Sequence, residues 1–483
     1  MLCAKAIMCE WWPAMRSLRM PAVERTATLV VMGLLLGGCS LAPTYQTPVL
    51  AMPGAYEHTE TVDTRSPLPQ AWWQAFQDPV LDQLQQQLGA ANPSLALAVA
   101  HYDAARAAAG EVASARAPQV GFSTGPVRQR QSDDKPLRSA TQPAIYDSNT
   151  ATFSLSFDLD LWGRLRNAAA AGKARAEASG DDLAAARLSL SQQLAGFYLQ
   201  LRGAEAQQAI LHGSIEDYRQ ALALTEDRFR GEIASQLDVS RARHQLASAQ
   251  ADLDALDGRH ELLRHAVAEL VGAPATGFII ADAGLPALPS VPADLPSRLL
   301  QRRPDIAAAE RRVFAANAGI GVARAAWFPQ LSLSGLLGGQ TSGGSGLLDA
   351  GNRYWALGPL AALPVFDGGR RKAAKAEAYA EFDAASAQYR ATVLAAIRQV
   401  EDQLTLLRQL DAQRGHEQEA VTAARRAEQI ANDRYAGGAV SYLDVVSAQT
   451  DARQAQLGLQ DIQSRQLQAS AALMAALGGG WSR

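Results

Sequence analysis

A chain of 483 residues has room for two or three ordinary domains, and a formal charge of −3 gives it no basic field with which to hold nucleic acid. Aromatic residues make up only 6% while alanine and glutamine fill many windows, which suits long helices packed through small side chains better than a layered α/β domain.

The three cysteines are Cys3, Cys9 and Cys39, and none follows. Arg16, Arg19 and Arg25 precede a short apolar run, 29–36, that ends in Gly37-Gly38-Cys39. A basic region, a short apolar region and small residues before a cut describe a secretory signal over 1–38, with Met1, Met15 or Met20 as its start. The run is too short to span a bilayer. A cysteine so placed resembles the lipobox of bacterial lipoproteins, which makes Cys39 the lipidation site and first residue of the mature chain. The other reading is a free buried cysteine behind an uncleaved anchor. Ser40 follows, where an Asp commonly retains such lipoproteins at the inner membrane, so the outer membrane is favoured. An acylated Cys39 leaves the mature chain without any disulfide.

Residues 40–69 are rich in Pro, Thr and Ala without periodicity and read as an extended tether. Trp72-Trp73 follows, then Leu81, Leu84 and Leu88 at helical spacing, with the tryptophans read as surface packing under that helix. Pro93 is placed to open a helix that ends before Pro118. Beyond Pro118 the period becomes two. Phe153, Leu155, Phe157 and Leu159 alternate with Ser154, Ser156, Asp158 and Asp160, and Val120, Phe122 and Thr124 supply the partner strand of a hairpin over 119–162.

The stretch 163–230 contains no proline and carries apolar residues at alternating steps of four and three: Leu190, Leu194, Phe197, Leu201, Ala204, Leu211, Ile215, Tyr218, Leu222, Phe229. That seam predicts a helix coiled against a partner, roughly 100 Å long at 1.5 Å per residue. It turns at 230–235, with Gly231 suited to the left-handed C′ position and Ser235 to an N-cap. A return helix over 235–271 has its own seam from Val239 to Leu270, in which His260 reads as a packed core histidine. Five prolines from Pro274 to Pro296 mark a connector, 273–303.

The chain then repeats itself. Pro93 and Pro118 correspond to Pro304 and Pro329, each 211 positions later, and the turn from Arg228 through Gly231 and Ser235 to Asp238 corresponds to that from Arg434 through Gly437 and Ser441 to Asp444, each 206 positions later. The expected organisation is a tether segment 39–92, a first repeat 93–272, the connector, and a second repeat 304–483. The second repeat comprises a helix, a hairpin 329–367, a long helix 369–436 and a return helix 441–477. A unit of this length is too long for a solenoid.

Four strands with one lipid-compatible face cannot close by themselves, since the smallest single-chain membrane barrels use eight. The chain is therefore expected to associate, and three copies give twelve strands and an interior wide enough for a channel. Ser154, Ser156, Asp158 and Asp160 then face water, while Trp162, Trp327, Tyr354 and Trp355 sit where an aromatic girdle belongs, although simple packing explains one or two of them equally well.

At this point the chain resembles the outer membrane factors, the TolC-like efflux channels, specifically their lipoprotein (NodT-like) branch. The resemblance rests on Cys39 with Pro43 and Tyr45, Trp72-Trp73 with Asp78-Pro79, the run from Leu299 to Ile306 with Glu310, Phe328-Pro329, and Phe366-Asp367-Gly368-Gly369. It implies a homotrimer with a membrane β-barrel, a long α-helical coiled-coil barrel in the periplasm and an equatorial belt. It also implies a periplasmic adaptor docking at the tips (Arg228, Gly231, Ser235 and Asp238; Arg434, Gly437 and Ser441) and an inner membrane RND-type transporter behind it. The periplasmic gate implied is Leu443, Asp444 and Ser447. Ser447 and Thr450 stand where related channels often carry an Asp and an Arg, so the ionic part of such a lock stays open. Asp444 reads equally as a first-turn carboxylate favoured by the helix N-terminus.

No catalytic or cofactor motif is found. The seven histidines are scattered and none forms a metal-ligand spacing, and the glycine run from Gly335 to Gly346 lacks the lysine of a phosphate loop. The expected function is a passive exit duct for small molecules in a tripartite efflux system. The alternatives are a type I protein secretion channel, a heavy-metal efflux channel, or a coiled-coil scaffold without a pore.

Overall fold

The computed structural model describes residues 40–57, 69–134, 136, 139, 141–290, 299–343 and 345–481. The expected signal segment, Cys39, residues 58–68 of the tether and residues 291–298 of the connector lie outside the described residues.

Two runs of elements follow one order. The first is α1 (Pro79–Ala91), α2 (Pro93–Ser114), β1 (Gln119–Arg130), β2 (Ile145–Leu159), α3 (Arg164–Arg230) and α4 (Gln236–Leu270). The second, after a single turn Leu299–Arg302, is α5 (Pro304–Ala325), β3 (Gln330–Thr341), β4 (Arg353–Ala362), α6 (Arg370–Ala436) and α7 (Tyr442–Ala476). Matching elements have equal lengths: 22 residues in α2 and α5, 12 in β1 and β3, 67 in α3 and α6, and 35 in α4 and α7. β4 is shorter than β2, 10 residues against 15, and it is across this second hairpin that the offset between repeats falls from 211 to 206. Among the described residues no helix is long and apolar enough to cross a membrane.

The chain forms two compact units, each drawing on both repeats. The first comprises Ala108–Lys173, Phe314–Phe382 and the N-terminal residues up to Tyr45. Its centre is one antiparallel sheet in the order β1-β2-β3-β4. Both long helices begin with an aspartate closing the first turn. Asp160 accepts from the Leu165 and Arg166 amides at 3.0 and 2.8 Å, and Asp367 accepts from those of Gly369 and Arg371 at 3.1 and 3.2 Å. The Asp367 carboxyl is held below the usual carboxylate range chiefly by the Arg371 guanidinium. Trp162 stacks on Phe328 at 4.7 Å and donates to the Pro329 carbonyl, so it is a packing residue.

The second unit comprises Gln46–Ala107, Ala174–Val313 and Asp383–Arg483. Its main core gathers Trp72 and Phe76 from a short 3-10 turn, Leu81, Leu84 and Leu88 of α1, Leu194, Tyr198 and Leu199 of α3, Val267 of α4, and Leu467 and Met474 of α7. Surface packing was the expectation for the tryptophan pair. Trp72 is instead 1% exposed, because α3 and α7 close over it. Asp78 caps α1 through the Val80 and Leu81 amides and takes the Tyr198 hydroxyl on its other oxygen. Leu194, Leu201, Ala204, Leu211, Ile215 and Tyr218 of the α3 seam are buried and Phe197 is partly so, but Phe229 at its end is 41% exposed.

The same joint is built twice in this unit. Each return helix ends at a left-handed glycine, Gly272 (φ 72°) or Gly478 (φ 98°), set against the carbonyl of Ala91 or Arg302. Asn92 then donates to the Leu270 carbonyl at 2.7 Å, and Arg303 donates to that of Ala476 at 3.0 Å, so chemically different side chains satisfy the same helix-end acceptor. A Cβ on Gly272 would lie 2.3 Å from the Ala91 oxygen. Gly272→Ala is expected to cost about 1–2 kcal/mol from the left-handed backbone alone, and more from that clash. The measurement is a lower thermal midpoint of the detergent-purified protein, with Gly258→Ala, a helical position with open space, as the neutral comparison.

Candidate functional site

Two features carry the functional geometry, the sheet in the first unit and the paired tips in the second. Alternation along each strand sorts the sheet into two faces. The registers Phe122↔Phe153, Phe153↔Leu337 and Leu337↔Trp355 make one transverse row, and Val120, Leu155, Gly335 and Leu357 make the next. The apolar members of this face are open, with Phe122, Phe153, Leu337 and Trp355 each more than half exposed. The opposite face carries Ser123, Thr152, Ser154, Ser156, Ser332 and Ser334. Tyr354 belongs to this polar face and reaches the Thr152 hydroxyl across Gly338, where any Cβ would meet the tyrosine at 3.0 Å. Of the four expected girdle aromatics, Trp355 therefore lies on the apolar face, and Tyr354 does not. β1 and β4 each have one edge with no partner strand among the described residues.

The tips close α3 onto α4 and α6 onto α7. In the first, the Gly231 amide donates to Asp227 and the Ile233 amide returns to the Arg228 carbonyl at 2.8 Å; in the second, the Gly437 amide donates to Asp433 and the Ala439 amide returns to the Arg434 carbonyl, also at 2.8 Å. The left-handed residue expected at Gly231 is Glu232 (φ 59°), matched by Gly438 (φ 74°) in the second tip. The tight return bond puts the positive φ one residue later than a glycine-first reading suggests.

Ser235 and Ser441 open the return helices with capping boxes. The Asp238 and Asp444 carboxylates each accept from the serine amide and hydroxyl, at 3.1 and 2.7 Å in the first box and 3.0 and 2.7 Å in the second. Arg241 lies 3.8 Å from the free oxygen of Asp238. In α7, Tyr442, Val445 and Gln449 are buried, while Leu443, Asp444 and Ser447 share the exposed face. Thr450 donates back to the Val446 carbonyl within its helix.

Arg228 leaves its own repeat. It donates to the Tyr435 and Ala436 carbonyls at 2.9 and 3.0 Å and lies 4.4 Å over the Tyr435 ring. The pair thereby closes the open C-terminus of α6. Beside it Tyr442 and Val445 pack with Ala242 and Leu222. Burial, with Tyr435 and Tyr218 nearby, pushes the Tyr442 hydroxyl up to about 12, so it stays protonated at neutral pH. Nothing in the sequence separates Arg228 from a surface arginine, since its acceptors lie more than 200 positions away. Among the described residues no group of His, Cys, Asp and Glu is arranged to hold a metal, and His260 sits 3.2 Å from Glu205.

Arg228→Ala removes two charge-assisted bonds at a half-buried site, about 1–2 kcal/mol in total. Amide exchange over 435–439 is expected to rise roughly five- to thirty-fold. Exchange over the buried segment 194–201 is expected to stay unchanged.

A family model described as outer membrane efflux protein matches residues 84–273 and 295–479. The chain is 34% identical over 466 residues to the pyoverdine export outer membrane protein OpmQ of Pseudomonas putida, covering 95% of this chain and 98% of that protein. It is 31% identical over 459 residues to the solvent efflux pump outer membrane protein SrpC of Pseudomonas putida, covering 93% and 97%. Among solved structures it is similar to the outer-membrane channel OprN, with a TM-score of 0.84 and 31% identity over 92% of this chain and 100% of that one.

Proposed function

This chain belongs to the outer membrane efflux protein family, and on that premise we propose that three copies close into one passive exit duct for small molecules, opened at its periplasmic tip by an adaptor. Its TolC-like fold and its place in the bacterial outer membrane follow from the family, which consists of transporters. The observation that carries the proposal is the sheet. An exposed apolar face suits hydrocarbon, and two unpaired edges do not, since backbone groups left open in lipid cost several kcal/mol each. Pairing β4 of one copy with β1 of the next removes every edge at twelve strands. The polar serines and threonines then line the bore.

The adaptor-docking surface is formed by the two tips: Arg228, Gly231, Ser235 and Asp238 with Arg434, Gly437 and Ser441. The gate is Leu443, Asp444 and Ser447, the exposed face of the first turns of α7. The Asp444 carboxylate is held there by its capping box, and in a ring it adds fixed negative charge beside Leu443. An RND-type transporter in the inner membrane supplies the drive. Cargo is a small molecule, as pyoverdine and solvents are named for the two relatives above.

Lipid anchoring through Cys39 draws support from the residues that follow it. Ser40 donates to Asn167 at 3.0 Å, Asn317 donates to the Pro43 carbonyl at 2.9 Å and Arg324 to that of Leu41 at 3.2 Å. The chain is thus fixed beside the start of α3, five positions after β2 ends, which is where an acyl group would meet the membrane boundary.

Deleting residues 437–442 is expected to abolish efflux in a host lacking its own channel, while the protein still fractionates with the outer membrane at normal abundance. Retained efflux at that abundance would contradict docking at this tip.

A further inference from the structure

The two tips carry equivalent arginines, and only one of them is used within the chain. Shifting the Arg228 contact by 206 positions turns Arg228 into Arg434, and the same shift backward turns its acceptors, Tyr435 and Ala436, into Phe229 and Arg230. Arg434 is exposed and its side chain has no hydrogen-bonding or ionic partner among the described residues. The Arg230 carbonyl, at the end of α3, accepts no bond among the described residues, and the Phe229 ring is 41% exposed. One chain therefore holds a second guanidinium and a second open helix C-terminus that do not meet.

We propose that Arg434 donates to the Phe229 and Arg230 main-chain carbonyls of a second copy of this chain, repeating between copies the brace that Arg228 makes within one. This rests on the ring proposed above, since only a closed ring presents every Arg434 with such a helix end. A helix C-terminus whose last carbonyl, that of Arg230, is open favours a cation; the Phe229 carbonyl accepts the Glu232 amide, as that of Tyr435 accepts the Gly438 amide beside Arg228, and Phe229 supplies the ring face that Tyr435 supplies to Arg228.

The seam between copies then differs from the seam within a chain in a defined way. Inside the chain Tyr435 lies under the arginine and packs in one cluster with Leu222 and Tyr442. The equivalent positions between copies are Glu428, Phe229 and Gln236. Two apolar or aromatic side chains are replaced by polar ones, so less apolar area is buried and the arginine carries a larger share of the hold. The copy-to-copy seam is accordingly the one that parts first when the tip opens.

The test uses full-length chain purified in detergent. In Arg434→Cys with Arg230→Cys, a short thiol-bridging reagent is expected to convert single chains into linked two- and three-chain species on a denaturing gel. In Arg228→Cys with Ala436→Cys the same reagent bridges within a chain and leaves the one-chain mass, and the parent protein stays unlinked. In planar bilayers Arg434→Ala is expected to raise the resting conductance several-fold, with Arg434→Lys between it and the parent. One-chain mass for the Arg434/Arg230 pair, in a sample that light scattering shows to contain three chains, overturns the inference and leaves the ring standing. Unchanged conductance in Arg434→Ala overturns the brace. A one-chain mass before denaturation overturns both the inference and the ring.

Discussion

Everything else in this molecule answers to one backbone fact: among the described residues the outer edges of β1 and β4 have no partner strand. In water such edges are a hazard managed by charges or bulges, but here the same sheet exposes Phe122, Phe153, Leu337 and Trp355 on one face. A surface of that kind is stable in hydrocarbon only if every strand is flanked on both sides. The described residues contribute four strands, and duplicating the module has not supplied the rest. Association is thus a requirement of backbone chemistry on the proposed reading, and the sheet needs nothing else from a second copy.

Duplication also explains how the helical unit keeps its long elements in register. Gly272 and Gly478 make the same approach to a preceding carbonyl, and Asn92 and Arg303 satisfy the same helix-end acceptor with different groups. The backbone solution is retained while the side chain that serves it varies. At the tips the reverse holds. Arg228 and Arg434 are the same residue at equivalent positions, and their surroundings within the chain differ, because only α6 ends beside Arg228.

Much of this was legible in the sequence because the signals were local. Proline-free stretches, the glycine and serine of each turn, and strict alternation in 153–159 act on neighbouring residues, and so does the offset between repeats. The four strands and two long helices stand where those signals lie. Local signals could not reveal what distant segments bring. Trp72 is buried by α3 and α7, well over a hundred residues away in sequence, so a tryptophan beside a tether gave no sign of lying in the core. Gly231 looked like the left-handed residue, yet the return bond from Ile233 to Arg228 assigns that conformation to Glu232, a residue with no intrinsic liking for it. Phe229 continues the heptad seam of α3 and is nonetheless open, because the seam's partner helix does not cover it within one chain. The capping boxes of Ser235 and Ser441 were legible only in part: Ser235 as a cap and Asp444 as a first-turn carboxylate, with the bond between serine and aspartate visible only in the fold.

The measurement that bears most directly on the account is the mass of the protein in detergent micelles, taken by light scattering and followed by reconstitution of the same sample into planar bilayers. Three chains per particle and discrete ion-conducting steps are what shared strand pairing predicts. A single folded chain, soluble without detergent and silent in the bilayer, would contradict it.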